Sequence, residues 1–239
     1  SPMGESMRNG IRMATEEINW KGGILGRPIE LIERDDEANP DKGRTFAEEL
    51  TGKARVVATI GSCNTGVVLK TIDLYQKARI PLLVPVATGV AITTTFAKEA
   101  EHYIFRNSAN DDIQAQLVAR EAVERRRFRK VAVFHDTTAY GAQGKDFLLA
   151  ALDKLGVKPV AVEAFPLGVA DLSGALDRAR KAGAEVILTY TVGPELAVIA
   201  NSRAKLKWKA PIVGSWPLSW TNFLNAAKEN AEGARMPQT

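Results

Sequence analysis

The chain has 239 residues, of which 45% are hydrophobic and 25% are charged, a composition typical of a folded protein with a buried core. Its 32 basic and 28 acidic side chains leave a net charge of +4, which is weak evidence for any charged partner. A single cysteine, Cys63, excludes an internal disulfide and a cysteine-rich metal site. No apolar run approaches the roughly 18–20 residues that a transmembrane helix needs.

The predicted elements alternate along the chain between helices and short strands rich in Val and Ile. The first is a helix over Glu5–Trp20, where Met7, Ile11, Ala14 and Ile18 fall on one face. The predicted strands, most of them nearly continuous apolar runs, are Ile29–Arg34, Val56–Ile60, Leu82–Val86, Tyr103–Arg106, Val131–His135, Pro159–Phe165, Val186–Tyr190 and Ile212–Gly214. The predicted helices between them are Asp41–Lys53, Gly66–Lys77, Asp112–Arg126, a helix through Phe147, Ala151 and Leu155, Leu172–Ala182, Pro194–Leu206 and Ser219–Asn230. This alternation predicts a doubly wound α/β fold with parallel sheets.

A polar, turn-rich segment at Asn107–Asp112 interrupts the series, and a new set of strands and helices follows it. We therefore expect two Rossmann-like lobes, the first formed by residues 1–110 and the second by residues 111–239. The chain begins with a loop and a helix at Ser1, although a doubly wound sheet normally opens with a strand. We expect that the first lobe lacks its opening strand, and that either a leader has been removed or the sequence is a fragment.

The motifs of several enzyme classes are absent from the sequence. There is no GxGxxG fingerprint, no GxSxG elbow and no zinc motif, and the loop Gly61–Gly66 is followed by Val67 where a phosphate-binding loop needs lysine. The basic cluster Glu124–Lys130 lies at a predicted helix end, which favours interaction with the helix dipole over binding of nucleic acid. An α/β enzyme that uses His135 and Asp136 stays open as an alternative, although isolated histidines without a motif are more often structural.

Polar and aromatic side chains follow the carboxyl ends of the predicted strands, where open α/β sheets bind ligands. These segments are Gly61–Gly66, Ala87–Gly89, Asn107–Asp112, Asp136–Gly141, Thr191–Pro194 and Ser215–Trp220. Each has another explanation when taken singly: Thr65 and Asp111 are good helix N-caps, and Tyr140 and Trp216 are suited to packing. Their convergence on one side of the predicted sheets favours a small-molecule site between the lobes.

A series of short motifs in the same order carries a family resemblance along essentially the whole chain. They are Arg8–Ile11, Glu17–Asn19, Gly22–Ile24, Asp35–Asp36, Asn39–Pro40, Ile60–Val67, Ile80–Pro81, Pro85–Thr88, Phe105–Arg106, Asn110–Asp111, Val133–Asp136, Tyr140–Gly141 and Ala231–Ala234. Each motif is short, but their order and spacing together are specific. The sequence resembles the type I periplasmic solute-binding proteins of the leucine/isoleucine/valine-binding kind.

The resemblance implies a two-lobed, extracytoplasmic or periplasmic protein that delivers a small molecule to the permease of an ABC importer. It implies a monomer without catalytic activity, cofactor, metal or nucleic-acid partner. It also implies that family members begin with a strand and continue well beyond the equivalent of Thr239, so that this chain is expected to be truncated at both ends and its first lobe to lack return elements. A ligand-sensing domain of a receptor or regulator on the same fold stays open as the alternative.

Carried over position by position, the resemblance assigns a role to individual side chains. Thr65 and Thr88 would hydrogen-bond the carboxylate of the ligand, while Asp111 would pair with its α-ammonium group. Val86 would offer a backbone carbonyl, and Tyr140 would close over the ligand from the second lobe. The remaining first-lobe candidates are Met3, where the family often places an aromatic residue, and the loop residues Cys63, Asn64 and Ala87.

The chain departs from this family pattern at two positions of the second lobe. Trp216 stands where the amino-acid binders carry an acid, and the family's tyrosine near Pro194 is replaced, unless Tyr190 substitutes for it. An ammonium group that faces Trp instead of a carboxylate loses a charge-assisted hydrogen bond, which is worth roughly 1.5–3 kcal/mol. The expected ligand is therefore an amino acid or an aromatic or hydrophobic carboxylate that Trp216 can stack on.

Overall fold

The computed structural model describes residues 1–238, and the chain divides into two units between Ser108 and Ala109. The first unit contains four helices and three strands among its described residues: α1 (Pro2–Trp20), α2 (Pro40–Glu48), β1 (Thr59–Ile60), α3 (Thr65–Ala78), β2 (Leu82–Val84), α4 (Ala91–Thr94) and β3 (Ile104–Arg106). A π-helical turn, Glu49–Lys53, extends α2. The strands form a parallel sheet in the order β1-β2-β3.

One face of this sheet packs against α2, α3 and α4. Leu82 and Val84 of β2 and Ile104 of β3 are buried there, together with side chains of the three helices: Ala47, Val68, Ile72, Tyr75 and Ile92. The opposite face carries a cross-strand row in which Ile60 lies beside Leu83 and Leu83 beside Phe105. These three side chains are 46%, 44% and 47% exposed, respectively. The apolar core of the first unit therefore lies on one side of its sheet.

The predicted strand Ile29–Arg34 is wrong, because this segment has no strand partner among the described residues. The backbone of Ile29 is hydrogen-bonded to the side chain of Asn19, at the end of α1, instead of to a neighbouring strand. Nδ2 of Asn19 donates to the carbonyl of Ile29 at 2.9 Å, and the Ile29 N–H donates to Oδ1 of Asn19 at 2.7 Å. Leu31 and Ile32 stay partly exposed, so their apolar character does not mark a buried strand.

The second unit, from Ala109 onward, is built on a four-stranded parallel sheet in the order β5-β4-β6-β7. Its main elements are α5 (Asp111–Arg120), β4 (Val131–Asp136), α6 (Ala139–Lys154), β5 (Ala161–Phe165), α7 (Ser173–Lys181), β6 (Val186–Tyr190), α8 (Gly193–Lys205), β7 (Ile212–Gly214) and α9 (Thr221–Ala227). A π-helical turn, Glu121–Arg125, extends α5, and 3-10 turns at Trp216–Ser219 and Lys228–Ala231 flank α9. The single helix predicted over Ser219–Asn230 is therefore broken into shorter pieces.

Alternate residues of β4 show that this sheet is covered on both faces. Val131 and Val133 pack with α5 and α6, whereas Ala132 and Phe134 pack with α7, α8 and α9. Both layers are fully buried, as a strand with near-continuous apolar sequence requires. The doubly wound α/β class predicted from the sequence is confirmed. Within residues 1–238, no helix has the combination of length and apolar character that a membrane crossing demands.

Candidate functional site

Thr65 and the loop after β2 come together in the first unit. Thr65 is the first residue of α3 and is buried, and its Oγ1 has no hydrogen-bond partner within residues 1–238. A Cβ atom added to Gly89 would lie 2.4 Å from Cγ2 of Thr65 and 3.2 Å from its Oγ1. Thr88, which precedes Gly89, is also buried. The two predicted carboxylate-binding threonines therefore belong to one contact region at the carboxyl ends of β1 and β2.

The start of α3 is left without a side-chain cap. Asn64 is the N-cap residue, but its side chain caps no N–H group in the described part of the chain. The first N–H groups of a helix have no intrahelical acceptor and carry partial positive charge, so they attract carboxylates. Thr65 is thus not the N-cap that its residue type suggested, and its hydroxyl is not used in capping.

The loops after β2 and β3 are tied together by hydrogen bonds. The Ser108 hydroxyl donates to the carbonyl of Ala87 at 2.6 Å. The guanidinium group of Arg106 donates to the carbonyl of Ser108 at 2.8 Å and lies 3.5 Å from that of Thr88. Val86 and Ala87 are buried beside them. Arg106 and Ser108, which were not among the predicted site residues, therefore fix the loop that carries Thr88.

Cys63 lies next to the first turn of α1. A Cβ atom on Gly4 would lie 3.8 Å from the Cys63 sulfur, which places the predicted residue Met3 in the adjoining turn. Burial raises the pKa of the Cys63 thiol to about 11, and the negative charge of Asp36 adds to this effect. The thiol is therefore protonated at neutral pH and acts as a weakly polar group rather than as a nucleophile.

Asp111 and Tyr190 form the centre of a polar cluster in the second unit. Asp111 is the first residue of α5, and its Oδ1 accepts a hydrogen bond of 2.8 Å from the Tyr190 hydroxyl at the end of β6. Both side chains are fully buried. Burial, the neighbouring Tyr140 and the charge of Asp111 raise the pKa of Tyr190 far above its usual range, so its hydroxyl keeps the proton that it donates. Asp111 is therefore held as an acceptor in a fixed orientation.

Tyr140 joins this cluster from the start of α6. Its ring centroid lies 5.0 Å from that of Tyr190, at an interplanar angle of 50°, and its hydroxyl donates to Oγ of Ser215 at 2.8 Å. Gly144 makes room for the second tyrosine, since a Cβ atom there would lie 1.9 Å from Cδ1 of Tyr190. The structure thus brings together Asp111, Tyr140 and Tyr190 at the carboxyl edge of the sheet.

Trp216 is linked to the same cluster through Gln114. The backbone N–H of Trp216 donates to Oε1 of Gln114 at 3.3 Å, and Gln114 lies one turn after Asp111 on the buried side of α5. The Trp216 ring packs edge-on against Trp220, with centroids 5.3 Å apart. Gln114 was not predicted from the sequence as a site residue, and Ser215 was named only as the start of the segment Ser215–Trp220. The spacing of three between Asp111 and Gln114, which puts both on one helix face, was the available signal.

The candidate catalytic pair of the alternative enzyme hypothesis is not joined through its side chains. Nδ1 of His135 lies 2.9 Å from the backbone carbonyl of Asp136. Oδ1 of Asp136 instead accepts hydrogen bonds from the Thr138 N–H, at 2.9 Å, and from the Thr138 hydroxyl, at 2.5 Å. No group of three His, Cys, Asp or Glu side chains within residues 1–238 is arranged to hold a metal ion.

Comparisons with known proteins agree in family and fold. A family model described as periplasmic binding protein matches residues 1–239. The Leu/Ile/Val-binding protein homolog 2 of Brucella abortus (strain 2308) is 30% identical over 230 residues, which are 96% of this chain and 61% of that protein. The crystal structure of a type 1 periplasmic binding protein from Bordetella pertussis Tohama I has a TM-score of 0.88 and 28% identity, covering 97% of this chain and 63% of that one.

A third similar structure has a bound aromatic acid. It is the solute-binding protein of an ABC transporter from Rhodopseudomonas palustris BisB5 in complex with 3,4-dihydroxybenzoic acid, with a TM-score of 0.74 and 22% identity. The alignment covers 89% of this chain and 57% of that one, and at this identity the likeness concerns the fold. This chain spans about three fifths of the length of the relatives that it matches.

Proposed function

Because the chain belongs to the periplasmic binding protein family, we propose that it captures a small carboxylate-bearing solute outside the cytoplasm for the permease of an ABC importer. The solute is an amino acid or an aromatic or hydrophobic carboxylate. The proposal concerns the whole protein, since the chain spans only part of the length of its relatives. The name Leu/Ile/Val-binding protein of a relative supports an amino acid as the solute. The ligand bound to the Rhodopseudomonas palustris protein supports an aromatic acid as the solute.

The observation that carries this proposal is the buried, unpartnered hydroxyl of Thr65 at the start of α3. A buried hydroxyl without a partner costs about 1–3 kcal/mol, so a ligand group that completes the hydrogen bond recovers this free energy on binding. A carboxylate accepts from this hydroxyl and from the uncapped N–H groups of the first helical turn at the same time. Thr88, which is buried in the adjoining loop, supplies a second hydroxyl.

Asp111 supplies the opposite charge in the second unit. Its carboxylate accepts only, so an ammonium group of the ligand is the complementary partner. The hydrogen bond from Tyr190 orients the carboxylate before the ligand arrives, which reduces the ordering cost of binding. In the second unit, Asp111 would therefore bind the ammonium group of an amino acid, whereas Tyr140 and Trp216 would contact the ring of an aromatic acid.

We propose binding without chemistry on the solute. The family to which the chain belongs consists of solute-binding proteins, and the arrangement of His135 and Asp136 supports no acid–base relay between their side chains. The Cys63 thiol, whose pKa is raised to about 11 by burial, is a poor nucleophile at neutral pH. The groups at the strand ends are instead hydrogen-bond donors, acceptors and aromatic faces.

A thermal-shift screen of the full-length protein tests the proposed function. The probes are the common L-amino acids and a set of aromatic acids, and each carboxylate is compared with the corresponding amine or arene that lacks it. A ligand at about 100 times its Kd adds about 2.7 kcal/mol to the free energy of unfolding, which is readily seen in the melting temperature. A screen in which only compounds without a carboxylate raise the melting temperature would contradict the proposal.

A further inference from the structure

Two N–H donors lie buried and unused beside Asp111 in the second unit. They are Nε2 of Gln114 and the indole Nε1 of Trp216, and neither has a hydrogen-bond partner within the described residues 1–238. Gln114 is only 2% exposed, so its amide is shielded from bulk solvent. Buried polar groups in folded proteins are nearly always paired, so each of these unpaired donors is a candidate contact for a ligand.

The orientation of the Gln114 amide follows from its own contact. The backbone N–H of Trp216 can only donate, so the atom of Gln114 that it meets at 3.3 Å must be the oxygen Oε1. The NH₂ group therefore points the other way, as a donor. The same hydrogen bond joins Gln114 of α5 to Trp216, which lies in the turn after the carboxyl end of β7.

Trp216 directly follows Ser215, whose hydroxyl accepts the hydrogen bond from Tyr140, so Trp216 and Tyr140 are neighbours in the second unit. Burial raises the pKa of Tyr140, and the N–H of Trp216 acts on this hydroxyl in the opposite direction, so the two groups are near each other. They do not reach hydrogen-bonding geometry, and the Tyr140 hydroxyl donates its own proton to Ser215. The indole N–H thus lies near the predicted ligand-binding residue Tyr140, but it does not donate a hydrogen bond to the Tyr140 hydroxyl.

We propose that Gln114 and Trp216 donate hydrogen bonds to an acceptor on the ligand, so that the cognate solute bears an oxygen besides its carboxylate, such as a hydroxyl, amide or phenol oxygen. This inference rests on the proposed function and narrows its substrate class. Leucine, isoleucine and valine have no such acceptor, and would leave both donors buried and unpaired on binding. A site built to hydrogen-bond a substrate group discriminates strongly against the analogue that lacks it.

Three pairs of ligands with nearly the same shape test this inference on the full-length protein. They are L-threonine with L-valine, L-asparagine with L-leucine, and 4-hydroxybenzoate with 4-methylbenzoate, each titrated by calorimetry. We expect the tightest ligand of the six to be an oxygen-bearing one that binds at least tenfold more tightly than its apolar partner. The inference is overturned if the tightest ligand is apolar, or if the advantage of the oxygen is less than tenfold.

Substitution separates the indole donor from the ring that carries it. In Trp216→Phe the aromatic face stays and the N–H is lost, so we expect the advantage of the oxygen-bearing ligand to fall below threefold. Trp208→Phe, in the loop after α8, is the matched control and keeps the advantage. An unchanged advantage in Trp216→Phe would refute the role of its N–H. If Trp216→Phe does not fold, the affinity ratio of the oxygen-bearing ligand to its apolar partner is compared between the wild-type protein and Gln114→Met. We expect this ratio to fall in Gln114→Met, and an unchanged ratio would overturn the inference.

The same titrations distinguish a failure of this inference from a failure of the proposed function. If valine, leucine or 4-methylbenzoate is the tightest ligand of the six, the result supports a carboxylate-binding protein and overturns the inference about the second acceptor. If none of the six ligands binds and the wider screen of carboxylates is also negative, the proposed function fails and the inference fails with it.

Discussion

The hydroxyl of Tyr190 donates a hydrogen bond of 2.8 Å to the carboxylate of Asp111, a residue 79 positions earlier in the chain. The bond joins the end of β6 to the first turn of α5, and both side chains are fully buried. It sets the direction of the one buried carboxylate that we propose as the partner of an ammonium group. The relationship depends on Gly144, whose missing side chain leaves the space that the Tyr190 ring fills.

Replacing Tyr190 with phenylalanine removes this hydrogen bond and keeps the ring. We expect the free energy of unfolding to fall by about 1–3 kcal/mol, because a buried carboxylate loses one hydrogen-bond donor. Affinity for an amino acid should fall about fivefold, the equivalent of the roughly 1 kcal/mol of a typical hydrogen bond. Urea denaturation and calorimetric titration measure the two effects.

The control for this substitution is Tyr103→Phe in the first unit. Its hydroxyl makes only an exposed contact of 3.3 Å with Glu101, so stability and affinity should stay within error of the wild-type protein. Equal affinity of Tyr190→Phe and the wild-type protein for every amino acid that binds would show that Tyr190 does not position Asp111 for the ligand.

Gly144→Ala should destabilise the second unit. The new Cβ atom would lie 1.9 Å from Cδ1 and 2.2 Å from Cε1 of Tyr190, so the ring or α6 must move. Overpacking of this kind typically costs about 1–3 kcal/mol, although alanine is the better helix former. The measurement is chemical denaturation. Gly174→Ala in α7 meets nothing closer than the end of the Arg178 side chain at 3.9 Å, and should be neutral or slightly stabilising.

Thr65→Val tests the carboxylate site with a side chain of the same shape. We expect affinity for the carboxylate ligand to fall about tenfold to a hundredfold, since a hydrogen bond to a charged group is worth about 1.5–3 kcal/mol. The stability of the ligand-free protein should not fall, because the hydroxyl that is lost is already buried without a partner. Thr45→Val, at an exposed position of α2, is the control. A loss of stability with unchanged affinity would contradict the assignment of Thr65.

The pH dependence of the rate at which Cys63 is alkylated should reveal the raised pKa of its thiol. With a pKa of about 11, the thiolate fraction at pH 8 is about one in a thousand, against about a quarter for a free cysteine of pKa about 8.5. The reaction of the native protein with iodoacetamide should therefore be more than about a hundredfold slower than that of the urea-unfolded chain at this pH. Because the folded-state pKa is raised, the rate should rise about tenfold per pH unit up to roughly pH 10. A plateau near pH 9 would contradict the burial argument.

Much of the fold was accessible from the sequence, because strands that are buried on both faces leave a clear pattern. β4 and β6 are continuous apolar runs, and the structure places them at the centre of a sheet that is covered on both sides. The prediction failed for Ile29–Arg34, where apolar residues are interspersed with charged ones and the side chain of Asn19 hydrogen-bonds the backbone of Ile29. Apolar composition alone does not reveal whether a strand has a neighbour.

The site was predictable in part for a similar reason. The loops that carry Thr65, Thr88 and Asp111 follow predicted strands, so their placement at the carboxyl ends came from the sequence. The hydrogen-bonded pairs could not be predicted from the sequence, because Trp216 and Gln114 are 102 residues apart in the chain and Tyr140 and Ser215 are 75 residues apart. Such contacts depend on how helices are set against the sheet. Thr65 and Asp111 are also the first helical residues rather than the caps, a shift of one position that propensity does not resolve.

The central claim is that this protein binds the carboxylate of a small solute, and calorimetric titration of the full-length protein tests it most directly. The tightest carboxylate from the screen is titrated beside its neutral carboxamide, which keeps the shape and removes the charge. We expect one saturable site for the carboxylate and at least about tenfold weaker binding of the carboxamide, because a charge-assisted hydrogen bond is lost. Equal affinity for the two compounds, or no saturable binding of any carboxylate, would contradict the claim.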